Sequence, residues 1–247
     1  MGGAATVLTR PRAAALAALL AGLVVYCATA QYLPELPEGL DIAFLSAVVV
    51  PAFLAVIWLG LPLARTGLRA LLWPAAGFSA LAAVLTAVGV DSAANVAKLA
   101  TYALVGFVFL ALFEELWWIA LVAVLVPWVD IWSVAAGPTE YVIDERPEIF
   151  ERISVAFPSP GDASSVNVGP PDVVFFALFL AAADRFGLRT GWTFIGMTAC
   201  LAATLVLVWA WDDVAGLPAL PAVCLGFLLP NVDLLLRNAR EARSRTA

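Results

Sequence analysis

Two aspartates stand in sequence that otherwise looks built to lie in a membrane. Asp130 lies in Val126-Pro127-Trp128-Val129-Asp130-Ile131-Trp132, and Asp172 in Gly169-Pro170-Pro171-Asp172-Val173-Val174-Phe175-Phe176. An aspartate near the middle of a membrane helix costs about 2.5–3.5 kcal/mol on insertion scales, so one that is kept there is a functional candidate. Two carboxylates brought within about 3 Å cannot both ionise; they share one proton and supply a general base and a general acid. That is the chemistry of an aspartic protease. The chain has no histidine, which removes Ser-His and Cys-His catalysis, the two-histidine zinc helix and histidine proton relays. Cys27, Cys200 and Cys224 all lie in apolar segments without CxxC spacing, so they read as packing residues, and no metal site is expected.

A third feature is Gly216-Leu217-Pro218-Ala219-Leu220-Pro221-Ala222. Two prolines three apart remove two backbone donors and disfavour continuous helix. Backbone left unpaired at membrane depth is tolerated only where it is buried in protein or lines a water-filled cavity, so this segment should face a site and could pair with an extended peptide.

The elements that position these residues are membrane helices. Of 247 residues, 63% are hydrophobic and 13% charged, against about 45–50% and about 25% in an average soluble domain. Eight apolar stretches can be drawn, at approximately 13–30, 42–62, 69–90, 96–113, 116–136, 167–187, 191–211 and 217–236. Runs of this length cross about 30 Å of hydrocarbon as helices, and they lack the alternation of barrel strands. The expected fold is therefore an all-α polytopic membrane bundle of about eight transmembrane helices. Residues 1–113 would be scaffold, and 114–247 a catalytic core with an extramembrane loop at about 137–168. The first stretch also resembles a cleavable signal peptide; we read it as a retained helix.

Charge sets the expected orientation. Arg10, Arg12, Arg65, Arg69, Arg185, Arg189, Arg237, Arg240, Arg243 and Arg245 fall on one side of the alternating helices, and Lys98, Arg146 and Arg152 on the other. Enrichment of basic residues in cytoplasmic loops then places both termini in the cytoplasm and the 137–168 loop outside. The net charge of −6 and the lack of a basic run before the C-terminal tail argue against nucleic acid. The remaining acids read as ordinary interfacial charges: Glu114-Glu115 between two helices, Asp184 beside Arg185, Asp212-Asp213, and Asp233 paired four residues on with Arg237.

By depth, Asp130 lies about six residues before its helix ends, about 9 Å inside, and Asp172 about five residues into the next, about 8 Å inside. Both approach from the side of the same loop. A proline-led helix start followed by an acid is also a common way to satisfy a helix dipole, which accounts for Asp172 without function. Asp130 sits late in its helix, where a negative charge opposes the dipole.

Together the three segments resemble the presenilin and signal peptide peptidase family of intramembrane aspartyl proteases. That family carries one aspartate in Tyr-Asp, a second in Gly-x-Gly-Asp on the next helix, and Pro-Ala-Leu opening the last. The matching residues here are Val129-Asp130, Gly169-Pro170-Pro171-Asp172 and Pro218-Ala219-Leu220, in the same order. The likeness covers roughly residues 117–236. Val129 replaces the family's tyrosine and Pro171 its last glycine, and eight segments stand where the family has nine. The resemblance implies that Asp130 and Asp172 are catalytic and that Gly169, Pro171, Pro218, Ala219, Leu220 and Pro221 hold an unwound substrate strand. It implies transmembrane-helix proteins or peptides as substrates within membrane lipid, no cofactor, and the orientation of signal peptide peptidases. Two other readings use the same residues: a non-catalytic relative that binds transmembrane helices in its groove, and a proton-coupled transporter with Asp130 as carrier.

Overall fold

The computed structural model describes residues 7–136, 147–162, 165–211 and 218–246. Gly137-Pro138 at the head of the long loop, Arg146, Asp212-Asp213 and Gly216-Leu217 lie outside the described residues. In chain order the helices are α1 (Arg10–Thr29), α2 (Glu38–Arg65), α3 (Leu68–Ala87), α4 (Asp91–Leu110), α5 (Leu116–Ala136) and the short α6 (Pro147–Ile153). A hairpin of β1 (Val155–Pro158) and β2 (Ser165–Val168) follows. Then come α7 (Pro170–Arg185), α8 (Thr190–Ala210), α9 (Leu220–Leu228) and, after a 3-10 turn, α10 (Val232–Thr246).

The protein is an integral, multi-pass membrane protein with an all-α bundle fold. Seven helical runs among the described residues are long and apolar enough to cross a bilayer. Glu114-Glu115 breaks the chain between α4 and α5 as expected and is exposed. The stretch expected at 167–187 departs from its reading: β2 takes its first residues, and α7 is 16 residues long, about 24 Å at 1.5 Å per residue. It is nonetheless the pillar of the bundle. Phe176 to Ala183 are each at most 1% exposed, so every face of α7 is covered.

Small residues make that burial possible. At Gly106 on α4, a Cβ would fall 2.4 Å from the Val174 carbonyl oxygen and 2.6 Å from the Ala177 Cβ of α7. The two backbones therefore approach as only glycine allows, the usual device of membrane helix contacts. Gly196 on α8 and Gly226 on α9 meet in the same way, a Cβ at Gly226 falling 2.4 Å from the Met197 backbone. On its α9 side, α7 stacks Phe179 on Phe227 at 4.8 Å between ring centroids. Since α4 comes from the expected scaffold half and α7 from the expected catalytic half, the packing has no seam at residue 113.

The hairpin was not anticipated. β1 and β2 pair antiparallel, Val155 opposite Val168 and Pro158 opposite Ser165. Burial alternates along β1, with Val155 and Phe157 inward, and Phe157 meets Phe53 of α2 edge-on at 4.6 Å. The side-chain amide of Asn95 on α4 occupies one edge of β1 as a further strand would. Its Nδ2 donates to the Ala156 carbonyl at 2.7 Å, and its Oδ1 accepts from the Ala156 N–H at 2.8 Å. Lys98 donates to the Ser154 carbonyl at 2.5 Å, and the Tyr26 hydroxyl to that of Pro158 at 2.6 Å. Gly161, at φ +77°, turns the hairpin and donates its N–H to the Ala30 carbonyl at 2.8 Å.

These contacts sort the charges by end. Lys98 and Arg152 lie at the hairpin end. At the opposite end Arg12 donates to the Trp58 and Leu59 carbonyls, Arg65 pairs with Asp184, and Arg185 donates to the Leu110 carbonyl. Asp233, expected to pair with Arg237 along its own helix, instead takes a two-pronged bond from Arg189 at 2.7 and 2.8 Å. Arg189 leads into α8, where its planar fork can meet both carboxylate oxygens, a geometry that favours it over an in-helix partner.

Candidate functional site

The site is assembled at the hairpin end from α5, α7 and the start of α9. Pro170 and Pro171 open α7, where the fixed ring angle suits the first turn and the missing N–H was unpaired in any case. Asp172 follows as the third helical residue, so it lies in the first turn and not five residues deep as its spacing suggested. Its Oδ2 accepts the Gly169 N–H at 3.1 Å. The side chain thus reaches back over the opening turn, the half of a capping box that needs no side chain at position 169.

Asp130 lies six residues from the end of α5, as expected, one turn beyond Pro127. Its Oδ2 accepts the Leu220 N–H at 3.2 Å. Leu220 is the first residue of α9, and this contact supplies the physical account that α5 alone withheld. The carboxylate that opposes the dipole of its own helix sits against the positive N-terminal end of another. Both aspartates therefore stand at helix N-termini, Asp172 at that of α7 and Asp130 at that of α9.

The Pro-Ala-Leu segment is more orderly than its two prolines suggest. Pro221 falls at the second position of α9, where no donor is needed, and the Ala219 carbonyl accepts the Ala222 and Val223 amides at 3.1 Å each. The Leu220 amide goes to Asp130. The Leu220, Ala222 and Val223 amides are thus paired, and the prolines start the helix instead of breaking it. Pro218 and Ala219 lead in ahead of the helix, next to Asp130.

The structure brings together three of the segments singled out in the sequence. The carboxylates of Asp130 and Asp172 lie within electrostatic reach of each other, and the Cys224 thiol, one turn into α9, lies within reach of both. Cys224 is 1% exposed. Its nearness to both aspartates carried no signal in the sequence beyond its spacing of one turn from Leu220. Gly169 touches the site through its amide, while Pro171 is exposed beside Asp172. Val129, in the place of the family's tyrosine, is 62% exposed and turns away toward lipid.

The long loop has two different parts. Its C-terminal portion, the β1–β2 hairpin leading directly into Gly169, is fastened to α1, α2 and α4 by the bonds of Tyr26, Asn95 and Lys98 and the Phe53 contact. It fixes where α7 begins and hence where Asp172 stands. No protein-family model matches the chain, and no curated protein matches it.

Proposed function

We propose that the protein is an intramembrane aspartic endopeptidase of the presenilin and signal peptide peptidase type, cleaving peptide bonds within transmembrane helices. The observation that carries this reading is the approach of two carboxylates from separate helices, Asp130 bonded to the N-terminal turn of α9 and Asp172 to that of α7, within electrostatic reach of each other. In this reading the pair shares one proton. The ionised member takes a proton from water as the oxygen adds to the scissile carbonyl carbon, and the protonated member donates to the carbonyl oxygen. Collapse of the tetrahedral species breaks the C–N bond as the nitrogen takes up a proton, leaving a carboxylate and an amine. A helical peptide bond is shielded by its own hydrogen bonds, so the substrate unwinds first. In this reading Gly169, Pro171 and the stretch from Pro218 to Pro221 would hold the unwound strand. No cofactor enters. Both termini are cytoplasmic and the 137–168 loop is external, which the division of basic residues between the two ends supports.

The test is cleavage of a fluorescent single-helix substrate by detergent-purified protein from acid to neutral pH, beside Asp130→Asn and Asp172→Asn. Loss of about 10²–10⁴-fold in each variant, and a bell-shaped pH profile in the wild type, are the expected results. A folded wild type that cleaves no helical substrate at any pH overturns the reading.

One observation favours a second reading. Pro171 precedes Asp172, is exposed, and has no N–H to offer an incoming strand. A chain that only binds transmembrane helices would use the same residues without hydrolysis. It would retain a labelled helix in both asparagine variants and release no product in any.

A further inference from the structure

We propose that the end of the molecule opposite the dyad carries a binding site for the headgroup of an anionic phospholipid. A cavity of about 420 Å³ opens there between the end of α2, the start of α3, and the ends of α4 and α7. Its rim is polar, formed by Arg65, Asp184 and Arg185; its floor is apolar, formed by Leu71, Phe107 and Leu110, each 2% exposed. Arg12, tied to the Trp58 and Leu59 carbonyls, lies within electrostatic reach of both Arg65 and Asp184. Arg12 and Arg65 thus lie near one carboxylate, Asp184, with Arg185 lining the same cavity, an excess of positive charge that a bound anion would reduce.

The hydrogen bonds leave donors to spare. Arg65 uses Nε and Nη2 on Asp184, at 2.8 and 2.7 Å, and Arg185 uses Nη1 on the Leu110 carbonyl at 3.2 Å. A guanidinium has five N–H groups in a planar fork, and the remainder suit phosphate oxygens.

The shape selects a lipid over a free anion. A soluble phosphate needs no apolar floor, whereas a phospholipid presents a charged phosphodiester directly above hydrocarbon. The helix walling the cavity, α3, turns Leu68, Leu72 and Trp73 outward beside its mouth, a surface on which acyl chains can lie. The cavity sits at the ends of spanning helices, the depth at which headgroups are found and at which basic pockets between helices take anionic lipids. This site is independent of the dyad and of any protease activity.

The test uses full-length protein in phosphatidylcholine nanodiscs doped with phosphatidylglycerol, with bound lipid counted by native mass spectrometry after release. Phosphatidylglycerol is expected to be retained in preference to phosphatidylcholine. Its affinity should fall about thirtyfold in Arg65→Gln/Arg185→Gln, the effect of two charges near the surface. Arg237→Gln, on the C-terminal helix α10, is expected to leave retention unchanged. Should the double variant fail to fold, Asp184→Asn moves the other way: removing the one anion should tighten retention about fivefold. Equal retention of the two lipids, an equal loss in Arg237→Gln, or no tightening in Asp184→Asn overturns the proposal. Displacement of the lipid by inorganic phosphate assigns the arginines to a free anion and also overturns it.

Discussion

The two helices that present the aspartates are held in opposite ways. α7 is sheathed on every side, with Gly106 of α4 pressed against its backbone and Phe227 of α9 stacked on Phe179. α5 is at the periphery: it packs chiefly against α9 and α10, while Trp128, Val129 and Trp132, on either side of Asp130, are 70%, 62% and 60% exposed. It also carries Pro127 within the helix, which removes the hydrogen bond to the Ala123 carbonyl one turn before Asp130. The difference teaches that the pair of carboxylates is one fixed group and one adjustable group. Asp172 is anchored by the core and by the hairpin that leads into it. Asp130 is anchored on the inner side by α9 through the Leu220 amide. Under the proposed function, a substrate helix entering between α5 and α7 would therefore displace the α5 side, where few buried contacts are lost.

The strongest way to break this comparison is to remove bulk from the pillar. Phe179 is 0% exposed and bridges α7 to α9. Phe179→Ala is expected to cost about 3–5 kcal/mol, the range for emptying a buried aromatic site. Chemical unfolding from mixed micelles would measure it, and Trp128→Ala on α5 should change far less despite the larger side chain. A comparable loss at both positions would mean that α5 is covered as well as α7.

A smaller effect probes the approach of α4 to α7. Alanine is the better helix former by about 1 kcal/mol, so Gly106→Ala on an isolated helix would stabilise. Here the added Cβ meets a backbone carbonyl oxygen at 2.4 Å, and a backbone cannot turn aside as a flexible side chain can. A net destabilisation of about 1–3 kcal/mol is expected, the range for overpacking. A neutral or stabilised variant would show that the pillar yields to an added methyl group.

Much of the site could be read from the chain because it depends on local features. Asp130, Asp172 and the Pro-Ala-Leu segment stood out as polar residues or prolines within apolar runs, though the prolines start α9 and do not break it, and the bundle as a set of runs long enough to span. What was not legible depends on contacts between distant residues. The reason Asp130 is tolerated is an amide 90 positions away. The partner of Asp233 is Arg189, 44 positions back, and not the arginine one turn on. The hairpin escaped because each strand has four residues, too short for alternation to stand out, and because one edge of β1 is completed by a side chain. Asn95 gives no sign in an apolar helix that it will do the work of a strand.

The smallest expected effect is also the sharpest check on the exposed face of α5. Leu125 is 52% exposed on that helix. In a soluble protein such a leucine would meet water; here it meets lipid, which is as apolar as the side chain itself. Its contacts with hydrocarbon are the same whether α5 is docked on α9 or separated from it within the bilayer, so truncation alters both states alike. Leucine and alanine are both good helix formers, and that term is small as well. Leu125→Ala should therefore shift stability by no more than about 0.5 kcal/mol, as an exposed substitution does. The same unfolding measurement used for Gly106→Ala checks it. A loss as large as the one at Gly106 would mean that another polypeptide, not lipid, covers this face. Asp130 would then sit on a helix buried from both sides, and α5 could not be the one that gives way to substrate.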